Sequence, residues 1–268
     1  MPIHPTAIVD RRATIEATAE IGPYVVIDGP VVVGAGTRVL SHAVLTGRTT
    51  IGRDNVIHMG AVVGHTPQDF SYTDAPTGLS IGDRNVIREH AELHRATSLE
   101  QPTTIGDDNY VFARAHVAHD CQLGNRILVA SGAMLAGHVH VDDQAFISGN
   151  CVVHQYVRIG RLALLRGLSR TSRDVPPYCL MDGTHTVRGV NRVGLRRAGF
   201  DAAQIRAIQR AFAILFRTRR NLRTALAELQ AGPTTAEVSH LIEFIASSKR
   251  GVCMGPRQRP PDIEDSTA

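Results

Sequence analysis

From Ile3 to Leu165 every sixth residue is Ile, Val or Leu, with Asp69 and Ala75 as the two departures. An amphipathic helix repeats its apolar positions every 3.6 residues and a half-buried strand every second residue, so neither template generates this period. A fixed short period points to a repeat architecture, and hexapeptide repeats build parallel β-helices. Each hexapeptide lays down one short strand and one corner, with its aliphatic side chain turned inward, and three of them make a coil of about 18 residues. Successive coils stack at roughly 4.8 Å, the spacing of hydrogen-bonded strands. A residue and its partner one coil later are therefore expected to be near neighbours. Glycine often follows the aliphatic slot, as in Ile51-Gly52, Ile81-Gly82 and Ile105-Gly106, where a tight corner favours a residue with no Cβ.

Repeats of this kind resemble those of the left-handed parallel β-helix acyltransferases; the hand is implied by the resemblance, not by the spacing. The expected fold is mainly β: a left-handed parallel β-helix of hexapeptide repeats over residues 1–186, followed by a small α-helical domain over 187–250 and a disordered tail over 251–268. Two stretches, 65–79 and 96–103, keep the six-residue phase without reading as coil, and the first is expected to leave the prism as a loop of functional weight. After Leu165 the period fades, and Asp174-Val175-Pro176-Pro177-Tyr178 forms a rigid exit. Asp201-Ala202-Ala203-Gln204 predicts a capping box, with Ile205, Ile208, Phe212 and Leu215 along one helix face. Gly232-Pro233 is a stop, and Thr234-Thr235-Ala236-Glu237 caps a further helix. These helices are expected to cover the open end of the prism, where unpaired strand edges invite aggregation.

Composition narrows the function classes. No apolar stretch approaches the ~20 residues of a membrane span, and the start, Met1-Pro2-Ile3-His4, lacks the features of a signal peptide, so a cytoplasmic protein with no integral membrane segment is expected. Four scattered cysteines without CxxC spacing argue against disulfides and structural zinc. Cys121, two residues from His119, is conceivable as a nucleophile but reads more simply as packing. A net charge of +4 and late arginines (Arg206, Arg210, Arg217, Arg219, Arg220, Arg223) suit an acidic partner. Nucleic acid is disfavoured, because Trp is absent, aromatic residues make up only 4%, and no recognition motif occurs. Val31-Val32-Val33-Gly34-Ala35-Gly36 imitates a dinucleotide-binding loop, but the third glycine is missing and the hexad register already explains Val33-Gly34.

Histidine carries the chemical signal. His116, His119, His138 and His154 fall close together, and the 18-residue step puts His138 beside Asp120 and Gly137 over His119. A base, a carboxylate, a second imidazole and a bare backbone N–H would then converge. That grouping suits acyl transfer, in which an imidazole takes a proton from an attacking hydroxyl while an N–H stabilises the tetrahedral oxyanion. Asp120 can orient the imidazole or raise its basicity.

The segments His4-Pro5-Thr6-Ala7, Gln68-Asp69, Ala115-His116-Val117-Ala118-His119-Asp120-Cys121, Leu135-Ala136-Gly137-His138, Val153-His154-Gln155, Asp174-Val175-Pro176-Pro177-Tyr178 and Gly189-Val190-Asn191, in this order, resemble the UDP-N-acetylglucosamine O-acyltransferases that begin lipid A synthesis. The resemblance implies a homotrimer with sites in clefts between prisms, a 3-hydroxyacyl-acyl carrier protein as donor, UDP-N-acetylglucosamine as acceptor, and neither cofactor nor metal. It implies His119 as general base, Asp120 as its orienting partner and Gly137 as the oxyanion donor. Asp69, His116, His138, His154, Gln155, Asn191 and Arg197 match substrate-contacting positions, and Gly167, beside Leu164, Leu165 and Leu168, matches the position that sets acyl length.

Some positions depart from the family's pattern. Ser71 stands where a Lys is usual, Val193 and Ala198 where Glu and a second Arg are usual, and Arg166 and Arg114 replace small residues. These changes bear on nucleotide affinity, on the amino-sugar variant accepted and on acyl length. Three other readings stay open on sequence: an N- or O-acyltransferase acting on a modified nucleotide sugar; a zinc lyase of the gamma carbonic anhydrase type using His116, His119 and His138; and a non-catalytic assembly prism.

Overall fold

The structure, a computed structural model, describes residues 3–218 and 221–256. Short parallel strands form three walls. The first runs from Ile8–Val9 to Arg170–Thr171, the second from Thr14–Ile15 to Arg158–Ile159, and the third from Glu20–Ile21 to Val187–Val190. The chain visits the walls in rotation, so each strand pairs with the strand one coil before it and one coil after it. The architecture is the expected left-handed parallel β-helix with a short helical region at its C-terminal end.

Inward aliphatic slots explain the period. Ile27, Leu45, Val63, Leu93, Val117, Leu135 and Val153 stack along the first wall with almost no exposure, each in register with the next. A ladder of buried asparagines records where the coil lengthens. The Asn85 N–H donates to Asn55 Oδ1 across a step of 30 residues, the Asn109 N–H to Asn85 Oδ1 across 24, and the Ile127 N–H to Asn109 Oδ1 across 18, each at 2.8 Å. Both excesses over 18 are multiples of six, which is why the sequence phase survives two excursions from the prism, at residues 66–77 and 95–102. Leu99, an aliphatic slot by period, lies in the second excursion and is 66% exposed. Its place in the series is coincidental.

The corner glycines are required by room rather than by backbone angle. A Cβ on Gly52 would lie 2.6 Å from the carbonyl oxygen of Gly82 one coil above, whereas the left-handed angles fall two residues later, on Asp54 and Arg84 (φ 55° and 56°).

Beyond Leu164–Leu165 the third wall continues with Cys179–Met181 in parallel and then Val187–Val190 in antiparallel. Asp174, 1% exposed, accepts from the Arg158 backbone N–H at 2.9 Å, from Arg158 Nε at 3.0 Å and from the Ser248 hydroxyl at 2.8 Å. Tyr178 is buried, with its hydroxyl 2.9 Å from His240 Nδ1. The exit segment thus fastens the helical region to the prism. Among the described residues four helices follow: α1 (Arg192–Arg197), α2 (Ala202–Phe216), α3 (Leu222–Ala231) and α4 (Ala236–Ala246). The capping box at Asp201 and Gln204 forms as expected.

The helices do not close the prism end alone. Arg158 of the second wall stacks on Phe244 of α4, its Cζ 4.3 Å from the ring centre, so α4 lies against the side of the prism. Edge pairing at the end comes instead from Val252 with Asp174 and Met254 with Thr186. Residues 251–256, assigned to a disordered tail by composition, are therefore ordered, with Val252 and Cys253 buried; unpaired strand edges gave them partners. The rest of that tail, 257–268, and Arg219 and Arg220 lie outside the described residues. Among the described residues no helix is long and apolar enough to cross a membrane.

Candidate active site

Strand His116–Val117 of the first wall turns at Ala118–Cys121 into Gln122–Leu123 of the second. Stacking at this corner forms two columns, His119–Gly137–Gln155 and Asp120–His138–Tyr156. Asp120, His138 and Tyr156 all adopt left-handed backbone angles (φ 59°, 60° and 63°). That repeated geometry holds their side chains along one edge.

His119 is 4% exposed, and its Nδ1 lies 2.7 Å from Asp120 Oδ2. Burial raises the Asp120 carboxyl pKa, but hydrogen bonds from His119 and from the Thr97 hydroxyl and N–H outweigh it and leave the group below its ordinary value. An ionised Asp120 can only accept, so the shared proton sits on Nδ1 and Nε2 of His119 keeps a lone pair. Nε2 faces Asp69 of the 66–77 loop, 3.8 Å away. The Asp69 carboxyl is held below its usual range by the Ser71 N–H and hydroxyl, at 2.8 and 2.7 Å, with a smaller contribution from His119.

Gly137 lies flat against the base. A Cβ there would stand 2.6 Å from His119 Nε2, so no side chain fits, and the Gly137 N–H donates to none of the described residues. An N–H left free beside an imidazole lone pair is the pairing that a developing oxyanion needs. His138 Nε2 is 3.5 Å from Asp120 Oδ2, and its ring meets His119 edge-on at 5.3 Å and stacks on Tyr156 at 4.4 Å. Burial lowers the His138 pKa, which favours the neutral ring at neutral pH.

The other expected residues are distributed differently. His154 and Gln155 are exposed on the same corner, above Ala136 and Gly137. His116 sits on the first wall, bonded to Glu92 and near His94, rather than with His119 and His138. The three-histidine zinc set imagined from sequence is therefore not assembled. Asn191 is 7% exposed and caps α1: its Oδ1 accepts from the Gly194 N–H at 3.0 Å and its Nδ2 donates to the Leu162 carbonyl at 2.9 Å, on the corner between the second and third walls. Arg197 is exposed at the end of α1. Gly167 lies on the remaining corner, between the third and first walls, next to Leu168, which is exposed, and Leu165, which is buried. A single protomer does not bring these three groups together.

Cys121 is fully buried, with its thiol pKa pushed up to about 12 by burial and its Sγ bonded to the Ala136 carbonyl, which removes it as a nucleophile. Among the unusual residues, Ser71 anchors Asp69, Arg166 pairs with Asp182 at 3.1 Å, and Arg114 is exposed on the corner that carries Gly167. Val193 is exposed and Ala198 is the C-cap of α1.

Sequence reasoning missed Thr97, Thr103 and Tyr156. Thr97 bonds the Asp120 carboxylate because the second excursion folds back over it, and the Thr103 hydroxyl accepts from the Asp120 N–H at the start of the strand Thr103–Ile105 one coil before. Tyr156 follows His138 by one coil, so the stacking rule could have found it.

Residues 174–253 match the family described as UDP N-acetylglucosamine O-acyltransferase, domain 2. The acyl-[acyl-carrier-protein]–UDP-N-acetylglucosamine O-acyltransferase of Syntrophobacter fumaroxidans is 45% identical, covering 94% of this chain and 99% of the relative. Its counterpart from Thermodesulfovibrio yellowstonii is 42% identical, covering 94% of this chain and 98% of the relative. The solved structure of the Francisella novicida UDP-N-acetylglucosamine acyltransferase superposes with a TM-score of 0.92 at 33% identity, covering 95% of each chain. With the repeat, the histidine corner and near full-length identity all in agreement, the chain belongs to the UDP-N-acetylglucosamine O-acyltransferase family and is an acyltransferase.

Proposed function

We propose that the chain transfers a 3-hydroxyacyl group from acyl carrier protein to the 3-hydroxyl of UDP-N-acetylglucosamine, the opening step of lipid A synthesis, in the cytoplasm. The observation that carries this reading is the His119–Asp120 pair with the free Gly137 N–H packed against its imidazole. His119 Nε2 takes the proton of the sugar hydroxyl, and the oxygen attacks the thioester carbonyl carbon. Gly137 N–H binds the resulting oxyanion. Collapse breaks the carbon–sulfur bond, and the imidazolium returns its proton to the departing thiolate, so an ester and a free carrier thiol leave together. No cofactor enters this sequence; the thioester is a substrate.

Asp69, His138, His154 and Gln155 on this corner, with His116 on the adjoining first wall, are assigned to the acceptor. Asn191 and Gly167 sit on the other two corners and Arg197 at the end of α1, so a complete site requires surfaces of neighbouring protomers to meet. This supports a homotrimer with sites at its seams. Asn191 would act there by fixing the start of α1, since both ends of its amide are already bonded. Exposed Arg206, Arg210, Arg217 and Arg223 suit an acidic carrier protein. Incubating the protein with UDP-N-acetylglucosamine and hydroxyacyl-carrier proteins of several lengths, then identifying products by mass spectrometry, tests the reading. A 3-O-acylated nucleotide sugar supports it; an N-acylated product, or none, overturns it.

A further inference from the structure

On the first wall, one coil before the catalytic corner, His94 is 4% exposed. Its Nδ1 lies 2.7 Å from the Thr66 carbonyl oxygen, which can only accept, so Nδ1 carries the proton and Nε2 the lone pair. That Nε2 is buried with no hydrogen-bond partner among the described residues. A buried acceptor left unsatisfied is costly and calls for an explanation. The neighbouring groups supply one. Glu92 stands in register with His116 on the adjacent strand, its Oε2 is 3.1 Å from His116 Nδ1, and the His94 and His116 rings are 5.0 Å apart. One ligand atom from each of Glu92, His94 and His116 lies within 4.8 Å of the other two.

We propose that Glu92, His94 and His116 form a binding site for one divalent transition-metal ion, with zinc the best match. Two imidazoles and a carboxylate are ligands suited to zinc, and three protein ligands leave a position for water. The Thr66 carbonyl plays the outer part that metal-bound histidines usually have, fixing ring orientation and tautomer from the far nitrogen. Glu92 is half exposed and can close on the ion without disturbing the core.

The site has a consequence that rests on the proposed function. His116 is also assigned to the acceptor, so a bound ion diverts it and blocks the nucleotide sugar. Zinc would then be an inhibitor, not a cofactor.

The test uses full-length protein stripped of metal and titrated with Co²⁺ followed by visible absorption, and with Zn²⁺ followed by calorimetry, both without substrate. One ion per chain is expected. His94→Ala and Glu92→Gln should each weaken binding by at least about tenfold, the lower end of what even an outer-shell change costs a metal site. Asp120→Asn, which disturbs the other histidine–carboxylate group, should leave the affinity unchanged. Circular dichroism confirms that each variant is folded, and Glu92→Gln, at an exposed position, keeps the test open if His94→Ala does not fold. Failure to bind, binding indifferent to Glu92 and His94, or binding lost in Asp120→Asn overturns the proposal. Zinc bound at this site without inhibiting turnover would leave the site standing and remove His116 from the acceptor site.

Discussion

A side-chain carbon on Gly137 would stand 2.6 Å from Nε2 of His119, so the glycine and the base share a space that only one of them can fill. Gly137→Ala therefore has to move the imidazole, the N–H or both. Displacements of about 1 Å cost on the order of 10²-fold in rate. Steady-state kinetics should show that loss in kcat, in a protein whose circular dichroism is unchanged. Unaltered kcat would mean that the close approach has no catalytic role.

Thr97→Val removes the hydroxyl that donates to Asp120 Oδ2 at 2.7 Å while preserving side-chain shape. A hydrogen bond to a charged group contributes about 1.5–3 kcal/mol, so the carboxyl pKa should rise toward its ordinary value and its hold on His119 should weaken. A fall in kcat of about tenfold or more is expected, together with an upward shift of the Asp120 carboxyl titration followed by NMR. A lower rate with an unmoved carboxyl titration would assign Thr97 a purely structural part.

Mixed trimers test the seam. If the proposed trimer holds, His119→Ala and Arg197→Ala protomers, each expected to be inactive alone, should regain activity when refolded together, with about a quarter of random seams carrying both intact residues. If mixing restores nothing, both residues serve one protomer's site or one of them serves none.

His58, His94, His138, His140 and His185 all have imidazole pKa values below the ordinary 6.5, with burial the largest cause in each. The unfolded chain takes up these protons near the ordinary value, and the folded chain only at lower pH. The stability they contribute is therefore present above about pH 6.5 and is lost as pH falls through the folded values. Urea midpoints should be lower at about pH 5.5 than at about pH 8, before the carboxylates begin to titrate. Equal midpoints would contradict this.

Asp174→Ala leaves Arg158 beside the prism wall without its carboxylate and frees the Ser248 hydroxyl. Breaking such a pair costs about 3 kcal/mol, and the loss should fall on the junction between prism and helices. Hydrogen exchange should quicken in α4 and around Val252 and leave the coils around Leu93 unchanged. Uniform loosening of the whole chain would mean that the junction is not a separate unit.

The sequence period was enough to read the prism, because an inward aliphatic at every sixth residue has no other economical fold. From Ile105 to Ile159 the coil step is constant, and there the stacking of Asp120, His138 and Gly137 around His119 could be read directly from residue numbers. Before Ile105 the step widens to 30 and then 24 residues, and the rule loses its footing. The approach of Asp69 to His119, the grip of Thr97 on Asp120 and the meeting of Glu92, His94 and His116 depend on how the excursions fold and how the lengthened coils align. Asn191 shows another limit: a motif marks a position, but only coordinates reveal that both ends of its amide are spent on capping α1 and holding Leu162.

The proposed chemistry depends on His119 as the base that removes the acceptor's proton. Turnover of UDP-N-acetylglucosamine and hydroxyacyl-carrier protein by His119→Ala, compared with the unaltered enzyme under saturating substrates, tests this most directly. The expected rate is lower by roughly 10²–10⁴ in a protein that keeps its assembly state and circular dichroism. A folded His119→Ala protein turning over at a near-normal rate would contradict it.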